Sequence, residues 1–406
     1  MPIGIEKINL YAGRFATDAV ELAQLRGKDP DYVRDQVMVQ TRSVIPVYED
    51  AVTLAVNAAR PLLTGIDPAE IELLVVGTES AVDFSKPVST WVQRFLGLGA
   101  NCRNFEVKHA CYSGTAALKT ALFWLTANVR PGKKALVVST DYSRMDGEEG
   151  FDFIGGGCAV AMLVSADPRV LLIDPAEAGY WTGEIADTFR PTSSVERADN
   201  QTSLYSYLDA LEGAFEHYEH LAPSFDYLTG FKKHIYHAPF PGMVLQAHRT
   251  LLGRFGIGKA AVRESFEGKV AEGLYFARRL GTAYGASNFV SLLGLLASAP
   301  DLVAGDRLSL FAYGSGCQGE FYSAQVGPEA SSLVRVLDLD RHLDTRYPLS
   351  IAHYEQIERE RRRGIDQPNF LPDHPGLEHL YDKLYAGQGL LVLKGVSDYH
   401  RTYDWS

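Results

Sequence analysis

Cysteine is scarce in this chain, with four in 406 residues: Cys102, Cys111, Cys158 and Cys317. That is too few for a disulfide framework at this length, so the thiols are expected to be free and the protein cytoplasmic. No apolar run reaches the ~18–20 residues that a membrane span needs. The opening residues lack a basic stretch followed by an apolar one, so no secretory leader is read there. Positive charge is also short. Lys and Arg number 39 against 50 Asp and Glu, a net charge of −11. With no basic stripe interleaved with aromatics, this argues against a nucleic-acid binder, and an acidic partner would need a local basic patch. No CxxC or HExxH spacing offers a metal site, and no GxGxxG or P-loop offers a nucleotide site. Low-complexity segments and Pro/Gly-rich linkers are missing too, so the domains should pack tightly.

What is present is apolar content, 46% of the chain, enough for a large core in two or three domains or one duplicated fold. Strands are expected at 3–11, 71–76, 135–139, 155–164, 233–236, 308–312 and 319–326. Helices are expected at 18–26, 31–41, 49–63, 90–96, 115–126, 203–220, 244–255 and 284–297. This is an α/β pattern with buried sheets. Strand, polar turn, glycines and strand occur in both halves, around 135–164 and 308–326, which hints at two copies of one unit. The division falls at 1–166 and 167–406. The charged run Glu358 to Arg363 reads as a solvated helix face.

The stretch His109-Ala-Cys-Tyr-Ser-Gly-Thr115 joins a short strand to an amphipathic helix. A cysteine there lies near the unpaired N–H groups of the first helical turn, which favour a thiolate. A buried structural cysteine is the plain alternative. Two more ionisable groups end apolar strands: Glu79 after IELLVVGT and His237 after KKHIY. Ligands gather at the carboxyl ends of strands in open α/β sheets. A base, a nucleophile and an imidazole placed there suit acyl transfer and carbon–carbon bond formation. Each also has an ordinary reading: Glu79 as a turn or helix cap, His237 as a satisfied core histidine with His109 and His234 as rivals. The glycines Gly155 to Gly157 open a strand and read as close backbone approach.

Over nearly its whole length the sequence resembles 3-hydroxy-3-methylglutaryl-CoA (HMG-CoA) synthase. The motifs are GTESAVDFSK, FEVKHACYSGTAAL, HAPFPGM and FAYGSG, with Phe189-Arg190-Pro191 and the start at Ile3. The tail Asp398 to Trp405 resembles the stand-alone synthases that install β-branches on polyketides carried by acyl carrier proteins. The resemblance implies a thiolase-like αβαβα stack of two similar halves, usually a homodimer. It makes Cys111 the acetylated residue, Glu79 the base acting on the acetyl methyl, and His237 the group that polarises a β-ketoacyl thioester. The N–H groups of Cys111 and Ser315 would form the oxyanion hole. Tyr112, Met145, Phe189, Arg190, Pro239, Phe240, Thr282, Tyr284, Gly314 and Gly316 would line the substrate. No bound cofactor is implied. The acyl groups would ride on the phosphopantetheine arm of a donor and an acceptor carrier protein, or on CoA.

The sequence departs from that family pattern at the acceptor side. Thr282 stands where many members have asparagine, with Asn288 nearby as a possible substitute. Met145 follows Asp141 to Arg144 where primary-metabolic enzymes often have tyrosine, and the segment from Arg144 to Gly155 is short. Pro241-Gly242-Met243 stands where those enzymes often place a lysine suited to CoA, which favours a carrier-protein donor. Basic residues around the His237 motif (Lys232, Lys233, Arg249, Arg254, Lys259) are candidates for carrier-protein docking, with ordinary surface as the alternative. Competing readings are a CoA-dependent primary-metabolic synthase, a ketosynthase-type Claisen enzyme, and a carrier-binding scaffold without turnover.

Overall fold

The computed structural model describes residues 2–406 apart from 128–129, 146, 148–149 and 223–225. The short segment expected between Arg144 and Gly155 lies partly outside the described residues.

In chain order the main elements are β1 (Gly4–Tyr11), α1 (Ala51–Ala59), β2 (Ile71–Gly77), α2 (Val88–Phe95), β3 (Arg103–Val107), α3 (Ser113–Ala127), β4 (Lys134–Tyr142) and β5 (Gly157–Ser165). Then come β6 (Leu171–Leu172), β7 (Ala178–Thr182), α4 (Asn200–Leu221), β8 (Lys233–Tyr236), α5 (Pro241–Arg254), α6 (Ser287–Ser298), β9 (Arg307–Gly314) and β10 (Gln318–Val326). One ten-stranded sheet runs β8-β9-β10-β6-β1-β5-β4-β2-β3, with β7 added on β10. The two-residue strand β6 joins two sub-sheets by pairing with both β1 and β10.

Five layers result. Helices α1 and α2 cover the outer face of the first sub-sheet, and α3 packs on its other face. The second sub-sheet follows, with α6 on the inner side and α4 and α5 outside. Strand β5 is buried along its whole length because both its faces are covered. Helix α1 starts on a capping box: Asp50 accepts from the N–H groups of Val52 and Thr53 at 3.0 and 3.1 Å, and Thr53 Oγ accepts from Asp50 N–H at 2.8 Å. No described helix is long and apolar enough to cross a membrane.

The expected strands and helices are present, with bounds shifted by a few residues. The expected 31–41 helix ends early, and Thr41–Val44 instead pairs with Phe15–Asp18 in a small sheet. The C-terminal hairpin Leu391–Ser397 and His400–Trp405 had no sequence signal. Glu358 to Arg363 is a solvated face only in part, with Arg359, Arg362 and Arg363 exposed. Glu358 and Arg361 are buried, bonded to each other, and Arg361 stacks on the Tyr142 ring. The pattern of charges gave no hint that C-terminal segments fold back over this helix.

Candidate active site

Glu79 lies two residues beyond the end of β2. Cys111 lies between β3 and the first turn of α3, with Ala110 before it at φ +42°. Parallel pairing of β2 with β3 brings their carboxyl ends together. The thiol of Cys111 donates to Glu79 Oε1 at 3.8 Å.

His237 comes from the other half. It follows β8, which runs parallel to β9. Its N–H donates to Phe311 O at 2.7 Å, and its ring centroid is 6.2 Å from that of Tyr313. Two residues beyond Tyr313, Ser315 sits in the turn Gly314-Ser-Gly316. A side chain at Gly314 would strike His109 O and Tyr112, so this turn lies directly against the Cys111 backbone. Asp187 holds the turn by accepting from Tyr313 O–H at 2.7 Å and Gly316 N–H at 2.9 Å. At the base of α3, Gly114 packs against Gly285 with no room for a methyl group on either.

Burial sets the protonation states. It pushes the Cys111 thiol well up, and the nearby Glu79 and Asp141 carboxyls add to the effect. The helix N-terminus does not prevail over these, so the resting group is a thiol, and the expected thiolate is corrected. Burial also raises Glu79 well above the usual carboxylate range. Arg190 works against this rise, while Asp141 and Glu196 reinforce it. Burial pushes His237 down to about 3, so the ring is neutral. Its Nδ1 is 2.6 Å from Ser287 Oγ, and Ser287 accepts from Ala238 N–H at 3.4 Å. A Ser287 hydroxyl that donates to Nδ1 fixes the tautomer with the ring proton on Nε2, although Asn288 Oδ1 at 3.5 Å is a second acceptor for the same hydroxyl.

Around this centre Arg190 donates to Glu79 O and Ser80 Oγ at 3.2 Å each, and its guanidinium is 5.1 Å from the Tyr284 ring. Phe189 beside it is half exposed, while Met145, Pro239 and Phe240 are half-buried. Tyr112 points elsewhere, with its hydroxyl bonded to Glu320. Thr282 is buried and its N–H donates to Ile154 O at 2.8 Å. Asn288 does not substitute for the family asparagine, because its amide donates to Phe311 O at 2.9 Å and supports the His237 backbone. Among the described residues no His/Cys/Asp/Glu group forms a metal site.

The basic candidates fare differently. Lys233 is buried and ion-paired with Glu272 and Asp301, so it cannot meet a partner. Lys232 pairs with Asp301 at 2.9 Å, and both lysines sit at the amino end of β8, ~13 Å of strand away from His237. Arg254 pairs with Glu216 at 3.2 Å near the far end of α5. Arg249 and Lys259 are exposed.

Matches to known proteins agree with this architecture. The Hydroxymethylglutaryl-coenzyme A synthase N-terminal model matches residues 1–169, and the C-terminal model matches 257–405. The chain belongs to the HMG-CoA synthase family. Members of this family are acyltransferases that form a carbon–carbon bond. The polyketide biosynthesis 3-hydroxy-3-methylglutaryl-ACP synthase PksG of Bacillus subtilis is 37% identical over 99% of both chains. A hydroxymethylglutaryl-CoA synthase of Enterococcus faecalis is 32% identical over 88% of this chain and 91% of its own. The crystal structure of the curacin-pathway HMG synthase in complex with acetyl donor-ACP superposes with a TM-score of 0.94, covering all of both chains at 37% identity. The thiolase-like fold expected from the motifs is therefore the fold of this family member.

Sequence reasoning missed Ser287, Asp187 and Glu196. None sits in a motif with its own signal. Each matters through a partner distant in sequence.

Proposed function

We propose that the protein condenses an acetyl group, held on Cys111, with the β-keto group of a polyketide thioester on an acyl carrier protein. Cys111 loses its proton to Glu79, and the thiolate attacks the acetyl carbonyl of the donor. The donor's phosphopantetheine sulfur leaves as a thiol, taking from Glu79 the proton that came from Cys111, so that Glu79 is again a carboxylate. Glu79 then takes a proton from the acetyl methyl, while the N–H groups of Cys111 and Ser315 hold the developing enolate oxygen. The methyl carbon attacks the β-keto carbon, whose oxygen is polarised by the hydrogen bond from His237 Nε2–H, and the resulting alkoxide ends with the proton that Glu79 took from the methyl. Water cleaves the acyl–Cys111 thioester, giving a free carboxylate on the branch, an HMG-like intermediate.

The observation that carries this reading is the contact of Cys111 Sγ with Glu79 Oε1 at 3.8 Å. A carboxylate beside the cysteine suits removal of a methyl proton and an aldol-type addition, in contrast to a Claisen enzyme with a different partner set. Carrier-protein use is supported by the PksG relative and by the donor-ACP complex of the curacin enzyme. It is also supported by Gly242, where any side chain would overlap the Gln36 carbonyl, so α5 has no room there for a CoA-binding lysine. The acceptor carrier protein follows from the same chemistry. The four free cysteines fit work in the cytoplasm. Strand β3 is the sheet edge left partly exposed, whereas the opposite edge β8 is buried, and this supports a homodimer built across β3.

Intact-protein mass spectrometry tests the reading. Incubation with an acetylated donor carrier protein should add an acetyl group to the wild type and none to Cys111→Ala. Adding a β-ketoacyl carrier protein should then give the branched acid. A Claisen product, or no acetylation, would sink the proposal.

A further inference from the structure

Arg190 serves two carboxylates, and only one of them has a step in the proposed reaction. Its Nη2 is 2.9 Å from Glu196 Oε2 but 3.9 Å from Glu79 Oε1. The pair belongs to a small hairpin over the site. Pairings Thr188↔Ala198 and Phe189↔Arg197 place residue 190 opposite residue 196 at the next step. The hairpin tip is held by Arg144 donating to Ser193 O and by Ser193 donating to Asp366. The side chains of Arg190 and Glu196 are 12% and 8% exposed, so their charges meet with little water between them.

A guanidinium in direct contact with a carboxylate holds it ionised and makes it a poor proton acceptor. Glu79 needs Arg190 nearby, because Nη1 orients its backbone. It also needs that guanidinium kept off its carboxylate. The other groups facing Glu79 are Cys111 and Asp141, and the ring of Tyr284 backs Arg190. Asp141 Oδ1 accepts from Thr78 O–H and Glu79 N–H at 2.9 Å each, and of the two carboxylates ion-paired with Nη2, Glu196 lies 1.0 Å closer than Glu79.

We propose that Glu196 is a positioning residue for the base: it draws Nη2 of Arg190 toward the hairpin, so that Arg190 orients Glu79 without neutralising its carboxylate. This rests on the reading of Glu79 as the methyl-proton acceptor.

The test uses the enzyme acetylated on Cys111 with acetyl-pantetheine and transferred to D2O. Each removal and return of a methyl proton then exchanges hydrogen for deuterium, which intact mass reads as a function of pH. The expected result for Glu196→Gln is an acidic limb moved down by about one pH unit, to which loss of the Glu196 charge also contributes, together with a lower plateau rate, which reports the freed Nη2 closing onto Glu79; a lowered limb with an unchanged plateau would overturn the inference. Glu196→Asp keeps the charge but withdraws it, and gives a smaller downward shift should Glu196→Gln not fold. A lower rate with the limb in place, or a limb moved upward, would overturn the inference and leave Glu196 as a pin for the hairpin. Glu79→Gln separates the two readings, since exchange that survives it removes Glu79 as the base whatever Glu196 does.

Discussion

Cys111 sits at a helix start, yet burial and two neighbouring carboxyls hold its sulfur as a thiol. In the proposed reaction the nucleophile is therefore made on demand, by transfer to Glu79 at 3.8 Å. As the base of the proposed reaction Glu79 must be deprotonated, and its affinity for the proton is raised by burial. Turnover should thus rise with pH along a limb well above the usual carboxylate range, and fall as Glu79 is protonated below it. The neutral His237, pushed down to about 3, adds no limb of its own near neutrality. A kcat–pH profile checks both points. Glu79→Gln should lower turnover by about 10²–10⁴. Ser287→Ala removes the hydroxyl that partners His237 Nδ1 and frees the ring to turn or change tautomer. A lost buried hydrogen bond of ~1–3 kcal/mol corresponds to roughly a 5- to 150-fold fall in condensation rate. Acetylation of Cys111 should be unchanged in that variant, and single-turnover kinetics separates the two steps.

Elements bring these side chains together through close backbone approaches. Helix α5 starts at the site because Gly242 lies against Gln36, while Gly253 near its other end has open space around it. The same substitution at the two glycines should have opposite signs. Gly242→Ala forces the helix off its support and should cost ~1–3 kcal/mol. Gly253→Ala should gain ~0.5–1 kcal/mol through helix propensity. Thermal melts of the two variants check this. Direction along an element also explains the basic residues. Lys232 and Lys233 are close to His237 in sequence, but a strand carries them to its opposite end. Arg254 is carried away by three turns of α5. Sequence distance ignores which way a strand or helix runs from the site.

For the whole molecule, the two halves meet at the site, Glu79 and Cys111 from one and His237 and Ser315 from the other. If β3 forms the dimer edge, Phe105→Pro at the centre of that strand should leave a monomer, because proline removes a ladder donor. Light scattering after size exclusion reads the mass, and a dimer that persists would place the interface elsewhere.

By itself the sequence determined the order of strands and helices, and the Glu79, Cys111 and His237 positions at strand ends. Alternating apolar runs and terminal polar groups are local signals, and local signals survive in a linear string. The tertiary structure alone decided that the thiol is protonated, that Asn288 is spent on Phe311, and that the Glu358–Arg361 pair is buried. It also decided that Arg190 is shared between Glu79 and Glu196. Each depends on what surrounds a group in space, on desolvation and on partners far off in the chain, and only folding supplies those.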